Sequence, residues 1–194
     1  MSRLSGTGRA FRVALLGAGL ALSAAAGWAG YLQAGGNFHE VRPQELFRSA
    51  QLDPQALGRV IRTHGIRSVL NLRGAREDRG WYRDELAATR QAGAVHADFG
   101  LSAGRPVSVT EAGALLALMK SLPKPILIHC RQGADRTGLA AALYLAGLAH
   151  DSEDSAEFQL SFRFGHVGIP YLSAAYAMDE SWEALEPTLG FGQS

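Results

Sequence analysis

PILIHCRQGADRTG, residues 125–138, is the stretch that decides the fold of this 194-residue chain. Ile126-Leu127-Ile128 is a short apolar run, rich enough in β-branched residues to be a buried strand, and it stops at His129-Cys130. An Ala- and Leu-rich run from Thr137 to Leu148 reads as a helix. Between them lie Arg131-Gln132-Gly133-Ala134-Asp135-Arg136, a tight loop that Gly138 closes. The first N–H groups of a helix have no internal partner and carry partial positive charge, so this junction is a ready anion site. Cys130 is the only cysteine in the chain, and helix-terminal charge beside an arginine favours the nucleophilic thiolate. Arg136 carries a planar fork of donors suited to two oxygens of a tetrahedral anion. Gly133 and Gly138 permit the backbone angles and close approach that a phosphate-wrapping loop needs. Thr137 is expected to donate its hydroxyl to the sulfur, and His129 to orient the loop through hydrogen bonds.

His129-Cys130, five residues, then Arg136-Thr137-Gly138 resembles the signature loop of the cysteine-dependent protein tyrosine phosphatase superfamily. Leu46-Phe47-Arg48-Ser49-Ala50-Gln51 is similar to the segment that leads into the first helix of the bacterial dual-specificity-like branch. The resemblance implies phosphomonoester hydrolysis through a cysteinyl-phosphate, with no metal and no cofactor, on phosphotyrosine or mixed phosphoprotein substrates. Cys130, Asp135, Arg136 and Thr137, at their spacing, also resemble the loops of myotubularins, Sac-type phosphoinositide phosphatases and certain secreted bacterial tyrosine and lipid phosphatases. A phosphoinositide or other small organic phosphate is therefore the alternative substrate. Arg131 adds one positive charge at the mouth, but the loop has no lysines to favour a highly charged inositol phosphate. Sulfur transfer and arsenate reduction also use a cysteine in an anion loop, but arsenate reduction usually needs a resolving thiol, and this chain has no second cysteine.

Two aspartates compete for the general acid. Asp98 precedes Cys130 by a spacing close to that of many dual-specificity phosphatases, which place their acid on a mobile loop after a strand. Here that loop is Ser102-Ala103-Gly104-Arg105-Pro106 and holds no carboxylate. Asp135, directly before Arg136, is the preferred candidate: a carboxyl there could protonate the departing oxygen and then activate water. Its structural reading is an ion pair with Arg136 or a helix cap. The empty acid loop also keeps open a different class, a membrane-tethered phosphate-binding module without turnover.

The rest of the chain supplies a frame. Asp53-Pro54 is a cap followed by proline at a first helical position, and Gly65 is a natural stop. Strands are expected at Asn37–Val41, Ser68–Leu72 and Ala94–Leu101, helices at Gly80–Gln91 and Asp154–Phe164, and another from the capping box Ser108-Val109-Thr110-Glu111 through Met119. A final helix is expected near Leu172–Leu185, and Gly190–Ser194 as a frayed tail. The pattern is α/β, a central mostly parallel sheet flanked by helices, with an N-terminal hydrophobic helix. Arg73 to Arg79, a mixed-sign run with Arg76, Glu77 and Asp78, reads as a solvated loop above the sheet's carboxyl edge. Gln159 reads as packing.

Val13 to Leu32 is mostly Ala, Leu and Gly, about long enough to cross a bilayer, and Arg3, Arg9 and Arg12 precede it. Residues 1–36 are thus an anchor or a signal peptide, and residues 37–194 the phosphatase domain. The anchor is preferred because the apolar run continues past a normal signal core, although Ala24-Ala25-Ala26 offers a peptidase small residues. The arginines would hold their end in the cytoplasm and send the domain to the periplasmic side, or release it there after cleavage. A formal charge of +1 with no basic run argues against nucleic acid as a partner.

Overall fold

A computed structural model describes residues 4–192, with side chains from residue 10 onward. Arg3, the side chain of Arg9 and the last two residues of the expected tail lie outside it. The chain divides into two units at Gly35/Gly36. The first is α1, Leu4–Ala34, of which Ala10–Ala34 has a mean hydropathy of 1.6 and is long and apolar enough to cross a membrane. A membrane anchor and a signal sequence both meet that description.

The second unit follows the order β1 (His39–Arg42), β2 (Leu46–Ser49), α2 (Pro54–His64), β3 (Ser68–Asn71), α3 (Gly80–Gln91), β4 (Val95–Asp98), α4 (Val109–Ser121), β5 (Ile126–His129), α5 (Asp135–Gly147), α6 (Glu153–Glu157) and α7 (Tyr176–Leu189). The sheet order is β1-β2-β5-β3-β4. Only β1 runs antiparallel to its neighbour, and β5 lies in the parallel centre between β2 and β3. A central strand covered on both faces must be apolar throughout, and Ile126, Leu127 and Ile128 are each 0% exposed.

Strand alternation divides the side chains between two cores. Leu46, Leu70, Leu72, Ile126, Ile128 and Cys130 face the layer of α4, α5 and α7. Phe47, Val69 and Leu127 face α2 and α3. The period of two therefore turns Cys130 toward α5 and His129 toward α3.

Local signals fix several helix ends. Asp53 Oδ1 accepts the N–H groups of Gln55 and Ala56, and Gly65 ends α2 in the left-handed region at φ 62. Ser108 and Glu111 form the reciprocal capping box of α4. One expected helix is not continuous: Asp154–Phe164 is α6 followed by two single 3-10 turns, with Ser161 extended between them. A tertiary donor accounts for the break, because the Gln159 carbonyl accepts from the Arg48 guanidinium instead of continuing a helix. The expected tail is also shorter, since Phe191 turns back to lie 6.2 Å from the Trp182 ring.

Candidate active site

The loop after β5 is held from behind. The Arg131 carbonyl accepts from Gln51 N–H at 3.2 Å, and the Gln132 carbonyl from Asn37 Nδ2 at 3.0 Å. Gly133 and Ala134 both offer their carbonyls to Arg48 Nη2, at 2.8 and 3.2 Å. In a peptide unit the carbonyl and the following N–H point opposite ways. Four consecutive carbonyls turned outward therefore aim the amides of Gln132, Gly133, Ala134 and Asp135 inward. The Gly133 amide reaches Cys130 Sγ at 3.3 Å. Gly133 has φ 73, and a Cβ there would stand 2.6 Å from the Ser49 carbonyl and Ala50 N, so glycine is required twice over.

Arg48 is the hub of this support, and the sequence left its direction open. It is 0% exposed, bonds both the carbonyl and Oε1 of Gln159 at 2.9 Å, and lies 4.0 Å over the Phe164 ring. Burial pushes its guanidinium down to about 9, against the pull of negative charge on Cys130 and Asp135. It remains a cation at neutral pH, behind the loop and not inside the cradle. Gln159 is thus a partner of the loop's support as well as packing. Arg48→Met is expected to leave the carbonyls of Gly133 and Gln159 without their donor, while Ala134 keeps the Gly138 amide, and to cost at least about 3 kcal/mol. A fall in Tm of roughly 6 °C or more would follow for a domain of this size; an unchanged thermal transition would show that the loop needs no such support.

Arg136 is partly exposed at the start of α5. Its Nη1 makes long contacts with the carbonyls of Leu72 and Leu101, 3.4 and 3.3 Å. Its buried Nε has no partner. A guanidinium fixed at one corner with a donor to spare suits an incoming oxyanion. Arg131 and Gln132 are exposed at the mouth. Gly138 is the close-approach glycine, since a Cβ would come within 2.7 Å of the Gln159 carbonyl.

Thr137 does not do what its position suggested. Its hydroxyl is fully buried and has no hydrogen-bond partner, Sγ included. As the third residue of α5 it is turned into the core, and the recorded donor to Sγ is the Gly133 amide. His129 Nδ1 contacts the Cys130 carbonyl at 3.3 Å. Its Nε2 stands 3.2 Å from Glu85 Oε1, off the line of an aligned hydrogen bond. Glu85, 2% exposed, also meets His96 at 2.8 Å and accepts from Gln51. Burial alone would raise its carboxyl, but the contacts with His129 and His96 prevail and hold it at about 2.

The two aspartates are placed very differently. Asn71 is in register with both Asp98 and His129, so Asp98 lies two strands from β5, about 10 Å away at the usual strand spacing. It shares the α3 face, where Asn71 Nδ2 donates to Oδ1 at 2.8 Å and Tyr82 Oη donates to Oδ2 at 2.5 Å. Burial and this contact push the Tyr82 hydroxyl well above its ordinary value. Cys130 faces the opposite side. Asp135 stands at the first position of α5, five residues along the same loop as the sulfur.

Asp135 does not pair with Arg136; its partner is His166. His166 Nδ1 meets Asp135 Oδ1 at 2.9 Å, and Nε2 meets Asp179 of α7 at 3.0 Å. The ring is 4% exposed. Burial pulls its proton affinity down, but the two carboxylates outweigh that and raise its pKa. Gly168 makes room for this latch, because a Cβ there would collide with the Asp179 carboxylate. His166 and Asp179 carry no sequence motif. The available signals were indirect: a histidine between glycines, Gly165-His166-Val167-Gly168, on a loop otherwise apolar.

A lone cysteine under inward amides, at the carboxyl end of a parallel α/β sheet, defines a phosphate-handling protein with a thiol at its centre. The chain belongs to the tyrosine phosphatase family, whose model matches residues 28–165, and it is a phosphatase. Solved structures share the fold. TpbA of P. aeruginosa is 21% identical with a TM-score of 0.61, over 78% of this chain and 86% of its own. A cysteine-to-serine variant of TpbA in complex with pTyr matches at 20% identity and a TM-score of 0.60, over 81% and 93%. PTPMT1 in complex with PI(5)P matches at 14% identity and 0.57, over 78% and 97%. Among curated proteins none matches this chain.

Proposed function

We propose that this phosphatase works through a cysteinyl-phosphate at Cys130 and acts on phosphotyrosine or mixed phosphoprotein substrates. The observation that carries the reading is the Gly133 amide on Sγ within a loop whose four carbonyls are all bonded outward. That arrangement leaves the inward amides to hold three phosphoryl oxygens around the sulfur, with the Arg136 fork following them to the transition state. Sγ attacks phosphorus as the ester P–O bond breaks, and Asp135 in its acid form protonates the departing oxygen. Asp135 then takes a proton from water as that water displaces the cysteine, releasing phosphate and the thiolate. His166, clasped between Asp135 and Asp179, is a positioning residue that fixes one carboxyl oxygen and leaves the other for the substrate. Asp98, committed to Asn71 and Tyr82, supports the sheet edge.

The pTyr complex of TpbA favours this substrate class, and the PI(5)P complex of PTPMT1 favours a phosphoinositide as the second reading. The apolar α1 supports a membrane tether, and the arginines ahead of it favour the periplasmic side for the domain, with secretion after cleavage as the rival.

The test uses the full-length chain in detergent, stripped with EDTA, mixed with a phosphotyrosine peptide and quenched rapidly. The expected result is turnover without added metal and a phosphoryl adduct on the peptide containing Cys130 by mass spectrometry. Turnover that returns only with a divalent cation, or an adduct elsewhere, would sink the mechanism.

A further inference from the structure

Arg73, Arg76, Arg79 and Trp81 line a pocket of about 250 Å³. Among the described residues no carboxylate lines it. The loop from β3 to α3 builds it, and two features of that loop set its character.

The first is a locked inner wall. Arg73 Nη1 donates to Gln51 Oε1 at 2.7 Å, Gln51 donates in turn to buried Glu85, and the Arg73 guanidinium stacks 3.6 Å over the Trp81 ring. Glu85 contacts His129, so the wall is tied to the cysteine loop through side chains. The chain geometry agrees. Leu72 N–H donates to the His129 carbonyl, and Arg136 touches the Leu72 carbonyl, so Arg73 begins within about 10 Å of Cys130. Burial and the like charges of Arg136 and Arg131 hold the Arg73 guanidinium below its ordinary value, as expected of a cation crowded against the cradle.

The second is an open outer rim. Arg76 and Arg79 are exposed. Arg79 Nε reaches Asp78 at 3.0 Å in a pair exposed on both sides, and such a pair is worth so little that a better-placed oxyanion displaces it. Arg79 also caps α3 without a side-chain bond, so the first amides of that helix add to the positive field.

We infer that this three-arginine pocket is a second anion subsite, which takes an acidic side chain next to the phosphotyrosine of a phosphopeptide. The inference rests on the phosphotyrosine reading above. Arg76 is exposed, Arg79 is held only by a weak surface pair, and the guanidinium fork fits a carboxylate bidentately. The peptide is preferred to a polyphosphorylated ring for reasons of reach. Arg73 begins within about 10 Å of Cys130, a separation that a residue flanking the phosphotyrosine can span.

The experiment compares kcat/KM of the full-length chain on two phosphotyrosine peptides, one flanked by glutamates and one by glutamines, in wild type and in R76Q/R79Q. Both substituted residues are exposed, so folding is not at stake. The wild type should favour the acidic peptide by about fivefold to tenfold, the size expected of two partly exposed charge pairs, and the double variant should bring the ratio near one. A wild-type ratio near one, or a preference that survives the substitutions, overturns the subsite and leaves the phosphotyrosine reading standing. Failure on both peptides while a simple aryl phosphate is hydrolysed overturns both. A preference for an inositol bisphosphate over the monophosphate, lost in the same variant, would reassign the pocket to polyphosphorylated small molecules and overturn the peptide assignment.

Discussion

Cys130→Ser is expected to lower kcat on an aryl phosphate by at least about 10⁴, to the limit of detection, while the protein still binds a phosphotyrosine peptide. In the proposed mechanism the thiolate attacks, and a serine hydroxyl in the same place is a far weaker acid and stays un-ionised. Binding survives because the cradle does not depend on the sulfur. Its amides are aimed by Gln51, Asn37 and Arg48 from behind the loop, and Arg136 keeps its contacts with Leu72 and Leu101. Calorimetry with the peptide and steady-state kinetics on the same preparation make the check. Retained turnover would show that Cys130 is not the nucleophile.

Asp135→Asn should reduce kcat on an alkyl phosphate by about 10² to 10⁴ and on an aryl phosphate far less, because only the poor leaving group needs its proton delivered. Asparagine keeps an oxygen acceptor for the His166 latch, so the fold of α5 and α7 is not disturbed. Asp98→Asn is the contrast. It should leave the alkyl-to-aryl ratio near the wild-type value, since its carboxylate serves Asn71 and Tyr82 on the α3 face. A ratio that collapses in the Asp98 variant and holds in the Asp135 variant would exchange the two roles.

The two aspartates also mark where the sequence was legible and where it was not. The β5 strand, the loop and α5 could be read directly, because cysteine, glycines and arginine lie within one short segment. The Asp53 and Ser108 caps were local in the same way. Spacing along the chain does not report the face of a strand, and the alternation that sends Cys130 toward α5 sends Asp98 toward α3. Arg48 and Asn37 were ambiguous because the loop atoms they support lie 85 and 95 residues away. Their side chains bond to carbonyls, which every residue has, so no motif betrays them. His166 and Asp179 were invisible for the same reason. The charge run from Arg73 to Arg79 read as solvated surface, and only folding shows that its three arginines and Trp81 share one pocket.

The Asp135–His166–Asp179 latch joins segments that leave the ribosome at different times. Cradle, thiol and arginine are all encoded by Gly138, but the second carboxylate of the latch arrives with α7, the last helix described. A nascent chain halted after the loop would thus hold an anion site whose Asp135 is not yet clamped. Completion of the latch coincides with docking of the final helix, so Asp135 takes its final setting only as the core closes.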